Sequence, residues 1–212
     1  MCGIVAYVGD KPAAPLMVEG LKRLEYRGYD SAGLAVANEH GLFAGKALGR
    51  VANLEQRLHE QPARFAGTLG IAHTRWATHG EPSEANAHPH LGQTPDGHHV
   101  ALVHNGIIEN HASLRTYLEG RGYHFTSQTD TEVLAKLIAA MYDGSLERAV
   151  QAALREVDGA YALAVICDAE PHTLIGARKG SPLIVGIADN AYVVASDASA
   201  IISHTAQVVT LD

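Results

Sequence analysis

The chain has 212 residues, of which 47% are hydrophobic and 18% charged, and this length and composition are typical of a single folded domain. Its formal net charge is −7 at pH 7 and it lacks Lys/Arg clusters, which argues against nucleic acid or an anionic membrane as partner. Without a bilayer-length apolar run or a signal peptide, a cytoplasmic protein that binds a small molecule is expected.

Short apolar runs and one helical pattern make up the first part of the chain. Gly3 to Val8 predicts a buried strand, and Met17, Leu21 and Leu24 recur at the spacing of a helix that ends by about Tyr26. Next come a polar, glycine-bracketed segment predicted to be a loop (27–33) and strands at 34–36, 42–48 and 68–73.

The middle of the chain is irregular and rich in polar residues. Residues 75–97 are punctuated by glycine and proline, and so long an irregular segment in a compact domain is usually functional or disordered. A strand is predicted at 98–104, and it should stop at Asn105-Gly106 because Asn-Gly is a turn signal.

Three helices and then several strands are predicted for the remainder. Asn110 suits the start of the first helix, the capping-box pattern Thr129-Asp-Thr-Glu132 precedes the second, and Ser145 can cap the third. Consecutive antiparallel strands are predicted at 161–166, 173–177, 183–187 and 192–195. These elements predict a single α+β layered domain, residues 1–212, with mainly antiparallel sheets.

The N-terminus offers a candidate nucleophile. Removal of Met1 would leave Cys2 with a thiol and a free α-amine, whose pKa of about 8 suits a base at neutral pH. The alternative is that Cys2 is only a small residue at the start of a buried strand. Cys167 lies within an apolar run and is expected to be an inert buried thiol.

Two charged residues could recognise an amino acid. The planar fork of Arg75 fits a carboxylate and Thr78 can donate to the same group, while Asp130 could accept from an α-ammonium. The alternatives are an exposed arginine at a strand end and an aspartate that only caps its helix.

Asn105-Gly106 places a side-chain amide beside a backbone N–H, a pair able to stabilise an oxyanion, although Asn-Gly is more often just a turn. Eight of the 13 histidines fall between His73 and His111. Their spacings match no zinc or iron site, so scattered polar histidines are favoured over metal ligands, and no metal or cofactor is expected.

Six motifs follow one another along the chain. They are Cys-Gly-Ile-Val (2–5), Arg-Gly-Tyr-Asp-Ser-Ala-Gly (27–33), His-Thr-Arg-Trp-Ala-Thr-His-Gly (73–80), Asn-Ala-His-Pro-His (86–90), His-Asn-Gly-Ile-Ile-Glu-Asn (104–110) and Ser-Gln-Thr-Asp-Thr-Glu (127–132). Together they resemble the class II glutamine amidotransferase domains over nearly the whole chain. Residues 24–30 and the Trp-Ala-Thr-His segment are most similar to the branch that uses fructose 6-phosphate.

The resemblance implies an N-terminal-nucleophile hydrolase fold, a four-layer αββα sandwich of two mainly antiparallel sheets. It implies that Cys2 is the nucleophile, its own amine the base, and Asn105 with Gly106 the oxyanion hole. For the substrate L-glutamine, it implies an α-carboxylate site of Arg75, Thr78 and His79, and an α-amine site of Asp130 near Gly106. It also implies a closing loop with Trp76, and supporting roles for Arg27 and Tyr29.

The resemblance further implies that sugar isomerase domains act as partners of such a domain in the full-length enzymes. They are expected to be absent from residues 1–212, so this chain alone should form glutamate and ammonia. An uncleaved Met1 would leave it inactive. The remaining alternative is a non-catalytic module that senses glutamine or a metal.

Overall fold

A computed structural model describes residues 2–76 and 80–211. The α-helices are α1 (Ala13–Leu24), α2 (Val51–Glu60), α3 (His111–Glu119), α4 (Asp130–Ala140) and α5 (Leu146–Arg155). The strands are β1 (Gly3–Val8), β2 (Ser31–Asn38), β3 (Gly41–Leu48), β4 (Leu69–Arg75), β5 (His90–Gln93), β6 (His99–Ile108), β7 (Gly159–Cys167), β8 (Ile175–Lys179), β9 (Ile184–Ala188), β10 (Ala191–Ala195) and β11 (Gln207–Thr210). No helix in these ranges is long and apolar enough to cross a bilayer.

The strands form two sheets. The larger sheet has the order β11-β9-β10-β1-β4-β2-β3, and the smaller one has the order β5-β6-β7-β8. Neighbouring strands pair antiparallel throughout the described ranges, which confirms the predicted antiparallel sheets. Strands β1 and β4, which frame Cys2, lie in the interior of the larger sheet.

Three apolar clusters divide the molecule into four layers. One cluster packs α1 and α2 against the larger sheet, and a second packs α3, α4 and α5 against the smaller sheet. The third joins the two sheets, with Ile4 and Ile71 of the larger sheet against Val103 and Ala164 of the smaller one. The predicted αββα sandwich is therefore confirmed.

Side-chain alternation along the strands determines which residues face the space between the sheets. In β1, Val5 and Tyr7 belong to the cluster under the helices, whereas Ile4 belongs to the cluster between the sheets. Ile71 of β4 and Val103 of β6 also belong to the inter-sheet cluster. Counting in steps of two from these residues puts the polar residues Cys2, His73, Arg75 and Asn105 on that same inner side.

The predicted turn at Asn105-Gly106 is wrong, because β6 continues to Ile108. Asn105 pairs with Ala162 and Gly106 with Tyr161 in the β6–β7 ladder. Gly106 has φ +130°, and a Cβ there would lie 2.0 Å from the carbonyl oxygen of Ala160. Glycine is therefore needed for a local distortion inside the strand and not for a reversal of the chain.

Other differences concern the limits of elements. Ser31 to Gly33, predicted to lie in the loop at 27–33, belong to β2. Strand β5 lies inside the segment predicted to be irregular. Helix α2 was not predicted, although Val51, Leu54 and Leu58 form its buried stripe. The four late strands are not one consecutive set, because β7 and β8 join the smaller sheet while β9 and β10 join the larger one.

Thr129 and Ser145 cap their helices as predicted, with one change of partner, whereas Asn110 precedes α3 without a side-chain cap hydrogen bond. The Thr129 side chain accepts a hydrogen bond of 3.2 Å from the Glu132 backbone N–H, and the Ser145 hydroxyl accepts one of 3.4 Å from the Arg148 N–H. The Glu132 carboxylate accepts instead from the backbone N–H of Thr126 and Ser127. These bonds tie the segment ahead of α4 to the helix and fix the position of its first residue, Asp130.

Candidate active site

A cavity of about 280 Å³ lies where the inner ends of β1, β4 and β6 meet the N-terminus of α4. This volume is just under the usual range for drug-sized ligands and suits a smaller molecule. The cavity is lined by Cys2, Arg27, His73, Arg75, Trp76, His88, His104, Asn105, Gly106, Ile107, Thr129, Asp130, Thr131, Ser181 and Pro182. The cavity therefore brings together a thiol, imidazole side chains from β4 and β6, buried charges of both signs and a carboxamide.

Cys2 is half-buried at the mouth of β1 and is held by the backbone of Trp76. Its Sγ accepts a hydrogen bond of 3.2 Å from the Trp76 N–H and lies 3.6 Å from the Trp76 carbonyl oxygen, to which the thiol donates. Burial raises the pKa of the Cys2 thiol, and the Trp76 N–H opposes that rise. A thiol with a raised pKa is protonated at neutral pH, so it needs a base to become a nucleophile.

The segment from Arg27 to Asp30 lies directly against Arg75 and Trp76. A Cβ at Gly28 would sit 2.8 Å from the carbonyl carbon of Arg75 and 2.9 Å from the Trp76 nitrogen, so only glycine allows this approach. The Tyr29 ring meets the Trp76 indole edge-on at a centroid distance of 5.8 Å. Tyr29 contacts the cavity through Trp76, and both rings are at least half exposed.

Arg27 is buried and connects the Cys2 end of β1 to the loop after β10. Its Nη1 donates 3.1 Å to the carbonyl of Ser196 and pairs with Asp197 at 3.3 Å. Ser196 in turn accepts from the Ile4 N–H through its hydroxyl and donates its own N–H to the Ile4 carbonyl. Through Ser196, Arg27 thus helps to fix Ile4, which lies two residues after Cys2.

Arg75 ends β4 with a guanidinium that is buried at the cavity. Its two terminal nitrogens donate to the carbonyls of Gly80, at 3.2 Å, and Glu81, at 3.4 Å. These carbonyls fix the plane of the guanidinium. Thr78 and His79, the other residues expected at a carboxylate site, lie outside the described residues.

Asp130 is buried at the first position of α4, where the helix dipole favours a negative charge. Its Oδ2 accepts a hydrogen bond of 2.8 Å from the backbone N–H of Ile108, and its Oδ1 accepts one of 3.4 Å from the Thr131 hydroxyl. The first of these bonds joins α4 to the end of β6. The carboxylate is thereby fixed on the wall of the cavity beside Gly106.

Asn105 faces Cys2 across the gap between the sheets. Its Nδ2 donates 3.1 Å to the backbone carbonyl of Cys2, and its Oδ1 lies 2.9 Å from Nε2 of His73. One side chain of the smaller sheet is therefore bonded to two residues of the larger sheet. The Nδ2 group has a second hydrogen that the bond to Cys2 does not use.

The histidines are not all scattered polar residues, so that prediction is wrong for four of them. His73, His88, His90 and His104 are buried, and the rings of His73 and His88 stack at 4.1 Å. Burial lowers the pKa of His73 and His90 to about 3 and that of His88 and His104 below the usual value. Within 2–76 and 80–211, no group of three His, Cys, Asp or Glu side chains is arranged to hold a metal.

The cavity contains most of the candidate residues and several that sequence reasoning did not assign. Of the candidates described by the structure, all but Tyr29 line it. His73, Thr131 and the Ser181-Pro182 segment were not proposed as site residues. His73 carried a usable signal, because it stands two residues before Arg75 in a strand and so shares its face.

Residues 73–203 match the family model described as "Glutamine amidotransferase domain". The chain is 52% identical over 212 residues to "Glutamine--fructose-6-phosphate aminotransferase [isomerizing]" of Clostridium perfringens, with 100% of this chain and 34% of the relative covered. It is also 52% identical to the protein of the same name from Bordetella pertussis, with 100% and 35% covered. The chain thus spans about a third of the length of the curated relatives that it matches.

A solved structure with the same fold is glutamine phosphoribosylpyrophosphate amidotransferase from B. subtilis. It superposes with a TM-score of 0.83 and 30% identity, and the match covers 99% of this chain and 44% of that chain. This likeness confirms the N-terminal-nucleophile hydrolase fold. With the family match covering more than half of its residues, the chain belongs to the glutamine amidotransferase domain family.

Proposed function

We propose that this domain hydrolyses the side-chain amide of L-glutamine to glutamate and ammonia, with Cys2 as nucleophile. The observation that carries the proposal is the composition of one cavity: a thiol, a carboxamide bonded to the backbone carbonyl of the same cysteine, a buried arginine and a buried aspartate. A zwitterionic amino acid needs both charges, and a side-chain amide needs a nucleophile with an oxyanion site. Family membership supports the same reaction.

Arg75, with Thr78 and His79, binds the α-carboxylate of glutamine, and Asp130 binds the α-ammonium. Arginine suits a carboxylate because its donors lie in one plane, and burial strengthens both charge pairs. Recognition of both α-groups places the side-chain amide at a fixed distance from them. That distance selects glutamine over shorter and longer amides.

In the first step, the Cys2 sulfur attacks the carboxamide carbon while the α-amine of Cys2 takes the thiol proton. The C–S bond forms, and the carbonyl oxygen becomes an oxyanion that accepts from Asn105 Nδ2 and the Gly106 N–H. When the C–N bond breaks, the departing nitrogen receives the proton from the α-ammonium and leaves as ammonia. Two donors aimed at the developing charge stabilise this transition state.

In the second step, water hydrolyses the γ-glutamyl thioester. The α-amine takes a proton from the water, the oxygen attacks the thioester carbon, and the same two donors bind the second oxyanion. The C–S bond then breaks, the sulfur regains a proton, and glutamate is released. No metal is needed in this sequence, because the nucleophile, base and oxyanion donors are all residues of the chain.

The proposed base exists only after Met1 is removed. An uncleaved methionine converts the α-amine of Cys2 into an amide, which cannot accept a proton at neutral pH. With the raised pKa of the Cys2 thiol, such a chain would lack both a base and a significant fraction of thiolate. Processing of Met1 is therefore part of the proposed function.

The longer relatives are named as aminotransferases that act on glutamine and fructose 6-phosphate. We propose that ammonia from this domain serves that reaction in a full-length protein, where sugar isomerase domains would form glucosamine 6-phosphate. Trp76, whose backbone N–H bonds Cys2 and whose side chain is half exposed, would close over glutamine and control the passage of ammonia. Arg27 and Tyr29 would support the positions of Cys2 and Trp76.

The test is glutamate release by purified protein whose Met1 status has been determined by mass spectrometry. The processed protein should hydrolyse glutamine, and an amide that lacks the α-carboxylate and α-amine should be a poor substrate. Cys2→Ala should abolish turnover, whereas Cys167→Ser should retain it, because Cys167 is buried in β7 away from the cavity. Binding of glutamine by the processed protein without turnover would contradict the proposal and favour a sensing module.

A further inference from the structure

The orientation of the Asn105 carboxamide determines whether the oxyanion site can work. The two ends of a carboxamide have nearly the same shape, but one end donates and the other accepts. If the amide nitrogen faces the thiol, its second hydrogen is available to a developing oxyanion. If the carbonyl oxygen faces the thiol, it repels that oxyanion. Hydrogen-bond partners around Asn105 must therefore select one of the two orientations.

The two partners of Asn105 bind the two ends of its carboxamide in the productive orientation. The backbone carbonyl of Cys2 can only accept, so at 3.1 Å it requires the amide nitrogen. On the other side, His73 Nε2 lies 2.9 Å from Asn105 Oδ1, which can only accept, so Nε2 must carry the hydrogen. A reversed amide would set two acceptors against each other at Cys2.

His73 is itself held in place by its surroundings. Its neighbour across the β1–β4 ladder is Ile4, and its ring stacks on His88 at 4.1 Å with an interplanar angle of 25°. His88 is anchored in turn, because its Nδ1 accepts a 3.4 Å hydrogen bond from the His104 backbone N–H. With 1% of its surface exposed, His73 cannot exchange Asn105 for water.

We propose that His73 is a positioning residue for the amide hydrolysis, which holds the Asn105 carboxamide with its nitrogen toward Cys2. It does not touch the substrate's reacting atoms, and it acts only through Asn105. The inference rests on the proposed function. It adds a third residue to the oxyanion site. It also gives a reason for a histidine at an inward-facing position of β4.

The test replaces His73 by Phe, which keeps an aromatic ring to stack on His88 but removes the donor, and by Gln, whose Nε2 can supply a donor at a similar place. In processed protein, His73→Phe should lower kcat for glutamine roughly 100-fold, as expected when an oxyanion donor is lost, with KM within about threefold. His73→Gln should recover most of this loss. His59→Gln is the control, because His59 is an exposed histidine of α2, on the outer face of the larger sheet.

A readout that needs the thiol but no oxyanion site separates positioning from damage to the fold. Alkylation of Cys2 by iodoacetamide is a direct displacement, so its rate should be the same in the parent protein and in His73→Phe. In an Asn105→Ala background, His73→Phe should cause no further loss of kcat. A merely structural role would slow alkylation as well or add its loss to that of Asn105→Ala, and either result would overturn the inference.

The outcome can be told apart from failure of the proposed function. If the processed parent protein does not hydrolyse glutamine, the function is wrong. If the parent is active and His73→Phe retains the parental kcat, the function stands and the positioning role of His73 is refuted.

Discussion

The Asp130 carboxylate accepts a hydrogen bond of 2.8 Å from the backbone N–H of Ile108, so the first residue of α4 is joined to the end of β6. Asp130 therefore has two separable properties: a hydrogen-bond acceptor that stabilises the fold and a negative charge at the cavity. The carboxamide of asparagine has the same shape and retains the acceptor. Substitutions at this position can distinguish the two properties.

Asp130→Asn should raise KM for glutamine about 10- to 100-fold, since a hydrogen bond to a charged group contributes roughly 1.5–3 kcal/mol. Its melting temperature should fall only slightly, because the link to Ile108 persists. Asp130→Ala loses the link as well and should melt distinctly lower. Steady-state kinetics and thermal melts of both variants check this, and an unchanged KM in Asp130→Asn would exclude a role of the charge in binding.

Arg75→Lys should also weaken glutamine binding, because an ammonium is a point charge and cannot bind a carboxylate through two parallel hydrogen bonds. It would also lose one or both bonds to the carbonyls of Gly80 and Glu81. We expect KM to rise about 10- to 100-fold.

The control for Arg75→Lys is a change of substrate. A simple amide without an α-carboxylate should be hydrolysed equally poorly by the parent and the variant. If the variant lost the same factor on both substrates, Arg75 would act on the fold or on Cys2 and not on the carboxylate.

Gly28→Ala should change the reactivity of Cys2 from a distance. The new Cβ would meet backbone atoms of Arg75 and Trp76 at 2.8–2.9 Å, and we expect the resulting shift to move the Trp76 N–H away from Sγ. Because this N–H lowers the pKa of the Cys2 thiol, its loss should raise that pKa further. The pH midpoint of iodoacetamide labelling should therefore shift upward.

Gly120→Ala serves as the control for this experiment. A Cβ at Gly120 makes only ordinary contacts of 3.5 Å, and its backbone conformation suits any residue. The labelling midpoint of Gly120→Ala should match that of the parent. An unshifted midpoint in a folded Gly28→Ala protein would show that the Trp76 N–H does not control the thiol.

The buried histidines should make the domain sensitive to acid. Burial holds the pKa of His73 and His90 at about 3, whereas an unfolded histidine has a pKa of about 6.5. Between these values the unfolded chain binds protons that the native state does not, so stability falls as pH decreases from about 6.5 toward 3. Each of these histidines should contribute about 1.4 kcal/mol per pH unit over much of that range.

Urea unfolding between pH 7 and pH 4 measures this slope. His90→Gln should be less dependent on pH than the parent, even if it is less stable at pH 7, whereas His59→Gln replaces an exposed histidine and should leave the slope unchanged. A parental slope in His90→Gln would mean that other groups dominate acid unfolding.

Local patterns predicted most elements correctly and missed the features that depend on pairing between distant strands. The caps at Thr129 and Ser145 were readable because they involve neighbours three residues apart. Asn105-Gly106 was misread as a turn, since its strand conformation depends on the ladder with Ala162 and Tyr161. No local pattern predicts which remote strand will lie beside a residue.

At the site, too, local patterns identified some residues and missed others. The motifs identified the polar residues, and the alternation of β4 would have placed His73 on the face of Arg75. That burial would lower the pKa of four histidines was not predictable, because His88 lies on a different segment from His73 and stacks on it only in the folded layers, where His90 in turn contacts His88. The number of histidines in a sequence does not show whether their rings are exposed to solvent or stacked in the interior.

The hydrogen bond from Asn105 to the carbonyl of Cys2 crosses the interface between the two sheets. Activity should therefore depend on close packing of the two sheets. Each sheet with its helices could persist in a loosened, swollen globule that still gives the far-ultraviolet signal of native secondary structure. Such a globule would separate the thiol from its amide donor and would be inert. Enzymatic turnover should therefore be lost at a lower denaturant concentration than secondary structure. Loss of activity would then reveal the loosening of the contact between the sheets before the domain unfolds.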